Sequence, residues 1–311
     1  MAGVVRVVLR AALLWLAESV RAEEMVRRAP LTRLLVNRFV AGEDVGAALA
    51  TARALDVRGL DCSLDLLGEN AADEASAAAA GQAYLALLDQ IQAAGLPGNI
   101  SIKLTMLGLE ISDESAWEKL EAIVERADEL GMFVRIDMEG SEYTERTLGL
   151  FRRIHDLYPT AVGIVLQSYL YRTDRDLDEM IERGARVRIV KGAYKEPETV
   201  AYPHKNDVDD AFRRQIERLL DGGTYPAIAT HDEAIIRMTQ GYALRMSVDR
   251  SRFEFQMLYG IGRGRQEALA AEGYSMRVYV PYGTSWYPYF MRRLAERPAN
   301  VLFIVRQLFR S

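Results

Sequence analysis

The sequence predicts an α/β fold, a (β/α)8 barrel of the TIM type with extra N-terminal helices. Three observations lead there. From residue 59 onward, eight short β-branched or apolar runs alternate with eight helical patterns, and strands alternating with helices at this pitch call for a parallel sheet. The first strand-to-helix turn, Leu67-Gly68-Glu69-Asn70, has no glycine-rich phosphate fingerprint, which an open doubly wound sheet would carry at that point. Within the strands one row is apolar and the alternate row is often charged, a pattern suited to a closed cylinder whose inside holds polar groups.

Residues 5–54 read as helices, with Leu13, Leu14, Leu16 and Val20, then Leu31, Leu34 and Leu35 at helical spacing and Pro30 marking a break. The expected division is an N-terminal helical arm over 1–55 and a barrel catalytic domain over 56–311. Strands are expected at 59–67, 100–106, 133–138, 162–168, 187–190, 227–230, 253–258 and 276–280. Helices are expected at 72–94, 114–130, 143–157, 174–183, 207–220, 233–244, 265–271 and from 287 onward.

Composition narrows the function. The 311 residues carry a net charge of −5, which argues against nucleic acid as a partner. The single cysteine, Cys62, excludes an internal disulfide, and the three histidines lack zinc-ligand spacing, so no metal is expected. Arg6 and Arg10 interrupt the apolar stretch at residues 4–17. That stretch is too short for a membrane span and reads as an amphipathic helix, packed on the domain or resting on a membrane surface.

If the apolar row of each strand faces the helices, the other row places Lys103, Arg135, Arg188 and Arg277 inside the barrel with Asp61, Asp65, Asp137 and Glu254. Buried charges need partners, and four cations can pair with four anions. Lys103, Asp137 and Arg188 fall near the C-terminal ends of their strands, where barrel enzymes do their chemistry. On the last helix Tyr289, Arg292, Arg293 and Glu296 share one face at i, i+3, i+4 and i+7. That face either holds a small carboxylate in a guanidinium fork or is a solvated face with Arg–Glu pairs. Lys191-Gly192 ends the fifth strand and Thr230-His231 the sixth. Gly260-Ile261-Gly262-Arg263-Gly264-Arg265 fails the dinucleotide fingerprint at its third glycine and is read as a phosphate loop or a plain turn.

Taken together, Arg188-Ile189-Val190-Lys191-Gly192-Ala193-Tyr194, Ala229-Thr230-His231, Phe253-Glu254-Phe255-Gln256-Met257-Leu258 and Tyr289-Phe290-Met291-Arg292-Arg293-Leu294-Ala295-Glu296 resemble the proline dehydrogenase family over residues 55–311, in its compact monofunctional bacterial form. The resemblance implies FAD at the C-terminal ends of the strands and an eighth helix laid across the barrel mouth. It implies oxidation of L-proline to 1-pyrroline-5-carboxylate by hydride transfer from C5 to flavin N5, the first step of proline degradation to glutamate. Electrons would pass to a quinone.

Carried over residue by residue, Arg292 and Arg293 clamp the proline carboxylate with Lys103 assisting, and Leu258, Tyr279 and Tyr289 wall the ring. Asp137 and Arg188 lie at the reacting centre. Met138, Gln167, Arg188, Val190, Lys191, Gly192, Tyr194, Thr230, His231 and Glu296 hold the FAD. The family's usual Trp is Lys195 here, and its seventh-strand Cys-Leu-His-Gly is Met257-Leu258-Tyr259-Gly260, which puts the adenine end in question. The resemblance also implies a cytoplasmic protein, peripheral at the inner face of the cell membrane, with transient membrane-surface contact and pyrroline-5-carboxylate dehydrogenase as a partner. Two rival readings stand: a Schiff-base aldolase or lyase using Lys103 or Lys191, and a non-catalytic binding scaffold.

Overall fold

The computed structural model describes residues 36–68 and 70–296; of Arg292, Ala295 and Glu296 it describes the backbone alone. The N-terminal helical pattern before residue 36, including the amphipathic stretch, lies outside the described residues.

Eight parallel strands close on themselves in sequence order, with the last pairing to the first. They are β1 (Asp61–Leu66), β2 (Asn99–Ile102), β3 (Phe133–Ile136), β4 (Val162–Gln167), β5 (Arg186–Val190), β6 (Ala227–Ala229), β7 (Glu254–Leu258) and β8 (Ser275–Tyr282). Helix α1 (Val45–Asp56) precedes β1. Then α2 (Glu74–Ala93), α3 (Asp113–Glu129), α4 (Thr144–Leu157), α5 (Thr173–Glu182), α6 (Lys205–Gly222), α7 (Glu233–Arg245) and α8 (Arg263–Ala271) follow β1 to β7 in turn, and α9 (Trp286–Glu296) follows β8. The expected (β/α)8 barrel is therefore the fold, with α9 across its mouth.

Local chemistry starts several helices. Asp73 and Ser76 form a reciprocal capping box on α2, and Asp44, Ser112 and Asp232 each accept a backbone N–H at the start of α1, α3 and α7. Each such cap is worth about 1 kcal/mol. The outward row of the strands, including Ile100, Ile102, Val134, Ile136, Ile189, Phe255 and Val278, is buried against helix residues such as Leu87, Leu120, Phe151 and Phe212. Helix α1 packs against β1 and β8. It takes the outer-ring place next to the closing strand pair, which leaves α9 free to cross the mouth instead. There α9 sits in a second apolar cluster, with Trp286, Tyr287, Phe290 and Met291 against Val36, Phe39, Val40, Leu67 and Ile261. The Trp286 indole donates to Glu43 Oε1 at 2.8 Å.

Most boundaries differ from expectation by one or two residues, and the end of the second strand by four. The second strand stops at Ile102 rather than 106, because Leu104 O accepts the N–H groups of both Leu107 and Leu109 and closes a turn. The eighth strand runs on to Tyr282. Its Pro281 lacks an N–H, but its carbonyl accepts Ala41 N–H at 2.9 Å.

The inward row is polar, and three of its four expected cations are paired with carboxylates. Arg277 reaches both carboxylate oxygens of Glu254 at 3.0 Å and Asp61 at 3.4 Å; Lys103 pairs with Asp65 at 2.5 Å and Arg188 with Asp137 at 2.7 Å. Arg135 departs from the four-and-four balance. Among the described residues it has no carboxylate partner; its guanidinium donates to the carbonyls of Ile164 and Arg186 and lies 4.9 Å from the Phe133 ring centre. The physical reason is that Glu254 is already engaged by Arg277, while Asp61 is 41 % exposed at the edge. Gly163 makes the space: a Cβ there would lie 2.6 Å from Arg135 Nη1. Burial, followed by the like charge of Arg188, pushes the Arg135 pKa well below its ordinary value.

Gly260–Gly262 form a turn and Arg263–Arg265 open α8, and none of the segment lines the main cavity. Gly262 is left-handed at the cap of α8, and a Cβ on Gly260 would collide with the Arg38 carbonyl.

Candidate active site

The strands end in a cavity of about 990 Å³ at the C-terminal mouth of the barrel. This is at the upper end of the ~300–1,000 Å³ typical of ligand pockets. Its wall draws on the ends of all eight strands and on α9. Of the expected site residues, Lys103, Asp137, Met138, Gln167, Arg188, Val190, Lys191, Gly192, Tyr194, Thr230, His231, Leu258, Tyr279, Tyr289 and Arg293 all line it. The side chains of Arg292 and Glu296 lie outside the described residues, although both residues belong to α9.

The polar centre is a chain across the barrel. Asp137, one residue past β3, accepts from Arg188 Nη1 of β5 at 2.7 Å and from the Tyr279 hydroxyl of β8 at 2.8 Å. Arg188 Nη2 reaches Ser101 Oγ of β2 at 3.1 Å, and Ser101 shares a hydrogen bond of 3.0 Å with Ser63 of β1. The Arg188 guanidinium also lies 5.3 Å from the Tyr279 ring centre. Five strands thus fix one carboxylate and one guanidinium at the floor of the cavity. Burial and the charge of Asp137 push the Tyr279 phenol well above its ordinary pKa, so it stays a donor.

Lys103 stands beside this chain, paired to the buried Asp65. Burial works against its charge, but Asp65 and Asp137 outweigh burial and leave its pKa above the ordinary lysine value. Burial raises the Asp65 carboxyl, and the Lys103 ammonium is the main opposing influence. A lysine held as an ammonium is a cation for a carboxylate and a poor Schiff-base nucleophile. Lys191 is no better placed for that role: its amine is ion-paired to Asp209 at 2.7 Å and Asp232 at 3.0 Å.

On α9, the Arg293 guanidinium lies 5.3 Å from the Tyr289 ring centre, and both residues face the cavity. The i, i+4 spacing did bring an aromatic and a guanidinium together over the barrel mouth.

The opposite side of the cavity carries groups suited to a large planar, phosphate-bearing cofactor. Gln167 donates its amide to the Met138 carbonyl at 3.2 Å, while its buried Oε1 has no hydrogen-bond partner among the described residues. His231 Nε2 accepts the Leu258 N–H at 3.0 Å, which assigns its proton to Nδ1. Thr230 Oγ1 accepts the Asp232 N–H at 3.0 Å. Gly192 has φ +112°, and a Cβ there would drive into the Tyr169 ring; its bare backbone faces the cavity. The volume, the open amide acceptor and the glycine-bared backbone fit FAD. Since the Lys191 amine is engaged by two carboxylates, what Lys191 can offer a cofactor is its backbone.

Several residues were missed. Ser63 and Ser101 position Arg188; both sit on the polar inward row, so the alternation held that signal. Thr105 fell on the polar row of the expected second strand but was given no role, and Glu139 carries no such signal, since it lies beyond the strands. Glu139 lines the cavity and takes the Thr105 hydroxyl at 2.6 Å and its N–H at 3.2 Å, with its pKa raised by burial.

A parallel barrel with a polar cavity at its C-terminal mouth defines a barrel enzyme, and comparisons with known proteins say which. The family model described as proline dehydrogenase matches residues 48–306. "Proline dehydrogenase 1" of Bacillus subtilis subsp. natto is 42% identical over 280 residues, covering 90% of this chain and 92% of that protein. "Proline dehydrogenase" of Deinococcus radiodurans is 40% identical over 306 residues, covering 97% of this chain and 98% of that one. The solved structure of proline utilization A (PutA) from Bdellovibrio bacteriovorus, inactivated by N-propargylglycine, superposes with a TM-score of 0.79 at 26% identity. It covers 85% of this chain, which spans about a third (32%) of that longer one. The chain belongs to the proline dehydrogenase family and is an enzyme of that class.

Proposed function

We propose that the protein oxidises L-proline to 1-pyrroline-5-carboxylate, the first step of proline breakdown to glutamate, with FAD held along the strand ends of β3 to β7. The observation that carries this reading is the Asp137–Arg188–Tyr279 chain beneath a cavity roofed by Tyr289 and Arg293. When bound, FAD supplies the two-electron acceptor, taking the C5 hydride at N5.

The residues of this chain do the positioning. Arg293 and Arg292, with the Lys103 ammonium, hold the substrate carboxylate and so fix the ring in place, which is where binding energy becomes rate. Leu258, Tyr279 and Tyr289 wall the ring and exclude water. Asp137 sits where it can orient the ring nitrogen, whose amine must be neutral before C5–H leaves. Arg188 holds Asp137 and presents its remaining N–H face to the cofactor. Gln167, Met138, Val190 to Gly192, Tyr194, Thr230, His231 and Glu296 hold the FAD. The proposed division is an N-terminal arm over 1–55 and a barrel catalytic domain over 56–311. Electrons from the oxidation would leave to a quinone, residues 1–55 would make membrane-surface contact at the inner face, and pyrroline-5-carboxylate dehydrogenase would take the product. No helix among the described residues is long and apolar enough to cross a membrane.

The test is direct. The purified protein should be yellow, with a flavin absorbance that bleaches on adding L-proline, and should reduce a dye in proportion to proline. Colourless protein that borohydride and a keto-acid label irreversibly would favour the lyase. No turnover of any amino acid with added FAD would favour the scaffold.

A further inference from the structure

The segment between β5 and α6 carries Lys191 to Tyr194 along the cavity wall, and a single carboxylate ties its middle to two other loops. Glu196 Oε1 accepts the Ser141 N–H at 2.9 Å, its Oε2 takes the Ser141 hydroxyl, and the Tyr169 hydroxyl reaches Oε1 at 3.4 Å. Ser141 follows β3 and Tyr169 follows β4. Three successive strand ends are therefore joined at one point.

Each partner is set up for the contact. Ser141 opens a short 3-10 turn, Ser141–Tyr143, that runs into α4. The residue capping that turn is Gly140, which has no side chain to offer, and Tyr143 gives α4 no side-chain cap either. The first residue of the turn that leads into α4 instead receives the carboxylate of a residue 55 positions later. A negative charge at a helix N-terminus satisfies orphan N–H groups and complements the helix dipole.

Tyr169 makes the second attachment. Its backbone pairs with both ends of the segment, through its N–H to Lys191 O at 2.9 Å and from Tyr202 N–H to its own carbonyl at 2.8 Å. Its ring packs on the backbone of Gly192 so closely that only glycine fits there. Burial and the neighbouring Glu196 charge keep the Tyr169 phenol protonated, and so a donor. Between these anchors Ala193, Tyr194 and Lys195 are exposed. Tyr171 holds the later part of the segment, its hydroxyl donating to Glu198 O and its N–H to Val200 O, both at 3.0 Å; Glu196 supplies the carboxylate attachment nearest the cavity-lining stretch.

We propose that Glu196 is a positioning residue that sets how tightly the protein retains its flavin, by clasping the β5–α6 segment to Ser141 and Tyr169. This rests on the reading that FAD lies along these strand ends. Glu196 is absent from the cavity lining, so its effect passes through the backbone of Gly192 to Tyr194.

The experiment measures FAD release from the holoenzyme on dilution, by recovery of flavin fluorescence, together with hydrogen exchange of residues 193–200. Glu196→Ala should release FAD about 10–100-fold faster, the effect expected for losing charge-assisted hydrogen bonds, and should speed exchange across 193–200. The KM for proline at saturating FAD should move by less than about 2-fold, the scale of a residue outside the substrate contacts. Ser141→Ala should give a smaller acceleration, and Ser141→Ala with Glu196→Ala should be no worse than Glu196→Ala alone. Glu196→Gln, which keeps an acceptor for the Ser141 N–H, should rescue part of the loss. Wild-type release in Glu196→Ala overturns the clasp; if that variant fails to fold, wild-type release in Ser141→Ala overturns it. A raised proline KM with unchanged FAD release also overturns it, assigning Glu196 to the substrate side instead. Wild-type protein that binds no flavin overturns the proposed function and the clasp together, and is recognised before any variant is read.

Discussion

The two ends of the barrel interior use the same chemistry for different ends. At the closed end, Arg277 meets Glu254 through two hydrogen bonds of 3.0 Å and takes Asp61 and the Cys62 carbonyl as well, while Gln256 also donates to Glu254. At the open end, Asp137 has Arg188 and Tyr279, and Asp65 has Lys103. The closed end overcomes burial: Glu254 is fully desolvated, yet the charge and hydrogen bonds of Arg277 hold its pKa below the ordinary glutamate value. The open end does not. Asp65 stays raised because burial outweighs the Lys103 ammonium, with the like charge of Asp137 adding to it. On the proposed function, Lys103 and Arg293 at this end would meet the carboxylate of the substrate. The closed end is built for stability and the open end is held in reserve for ligand.

The largest expected effect tests the closed end. Arg277→Met leaves Glu254 buried without its main partner, and breaking such a pair costs about 3–5 kcal/mol. Urea unfolding should show that loss, and the variant, where it remains folded, should keep its proline KM. A loss below about 1 kcal/mol would mean that water enters the closed end and that the contrast between the ends is wrong.

Next in size is the roof. Arg293→Met should raise the proline KM by roughly 30- to several-thousand-fold, since truncating one side of a desolvated charge contact costs about 2–5 kcal/mol. Unfolding stability should change by no more than about 1 kcal/mol. Near-normal kinetics would remove Arg293 from the carboxylate site.

A smaller effect separates positioning from binding at the open end. Tyr279→Phe removes one hydrogen bond to Asp137 but keeps the ring, a change worth about 0.5–1.5 kcal/mol. Steady-state kinetics should show a fall in kcat/KM of roughly 2–10-fold. A drop of about a thousand-fold would instead mean that the phenol itself acts on the substrate.

The contrast between the ends was partly legible in the sequence. All eight strands followed from apolar alternation, because a residue's face in a strand is fixed by parity alone. The charged inward row followed for the same reason. Pairing within that row did not. Whether Arg135 or Arg277 wins Glu254 depends on the stagger of strands around the cylinder, and strand register is not written in any one strand. The end of the second strand was misplaced because Leu104 and Met106 continue its apolar alternation through what is a hydrogen-bonded turn. The α9 face was legible as i, i+4 geometry, but the sequence could not choose between a clamp and a solvated face. What puts α9 over the mouth is α1 in the outer ring beside β8. Glu139 and Glu196 were invisible because loop residues obey no period; their partners, Thr105 and Ser141, are 34 and 55 positions away.

The smallest effect, and the sharpest on sign, is the pH dependence of the closed end. Glu254 has a folded-state pKa below its unfolded one. Such a group adds stability that is fully present above the unfolded value, ordinarily about 4.3, and is lost as pH falls through the folded value. Asp65 runs the other way. Its folded pKa is raised, so on its own it disfavours the native state as pH climbs above the ordinary aspartate range. The stability difference between wild type and Glu254→Gln should therefore shrink as pH is lowered from about 6 toward 3, while the difference between wild type and Asp65→Asn should shift in favour of wild type over the same descent. Urea unfolding of the three proteins at several pH values reads both slopes. Two slopes of the same sign would show that the two ends handle their buried carboxylates alike, and would leave α9 and its arginine as the only distinction between them.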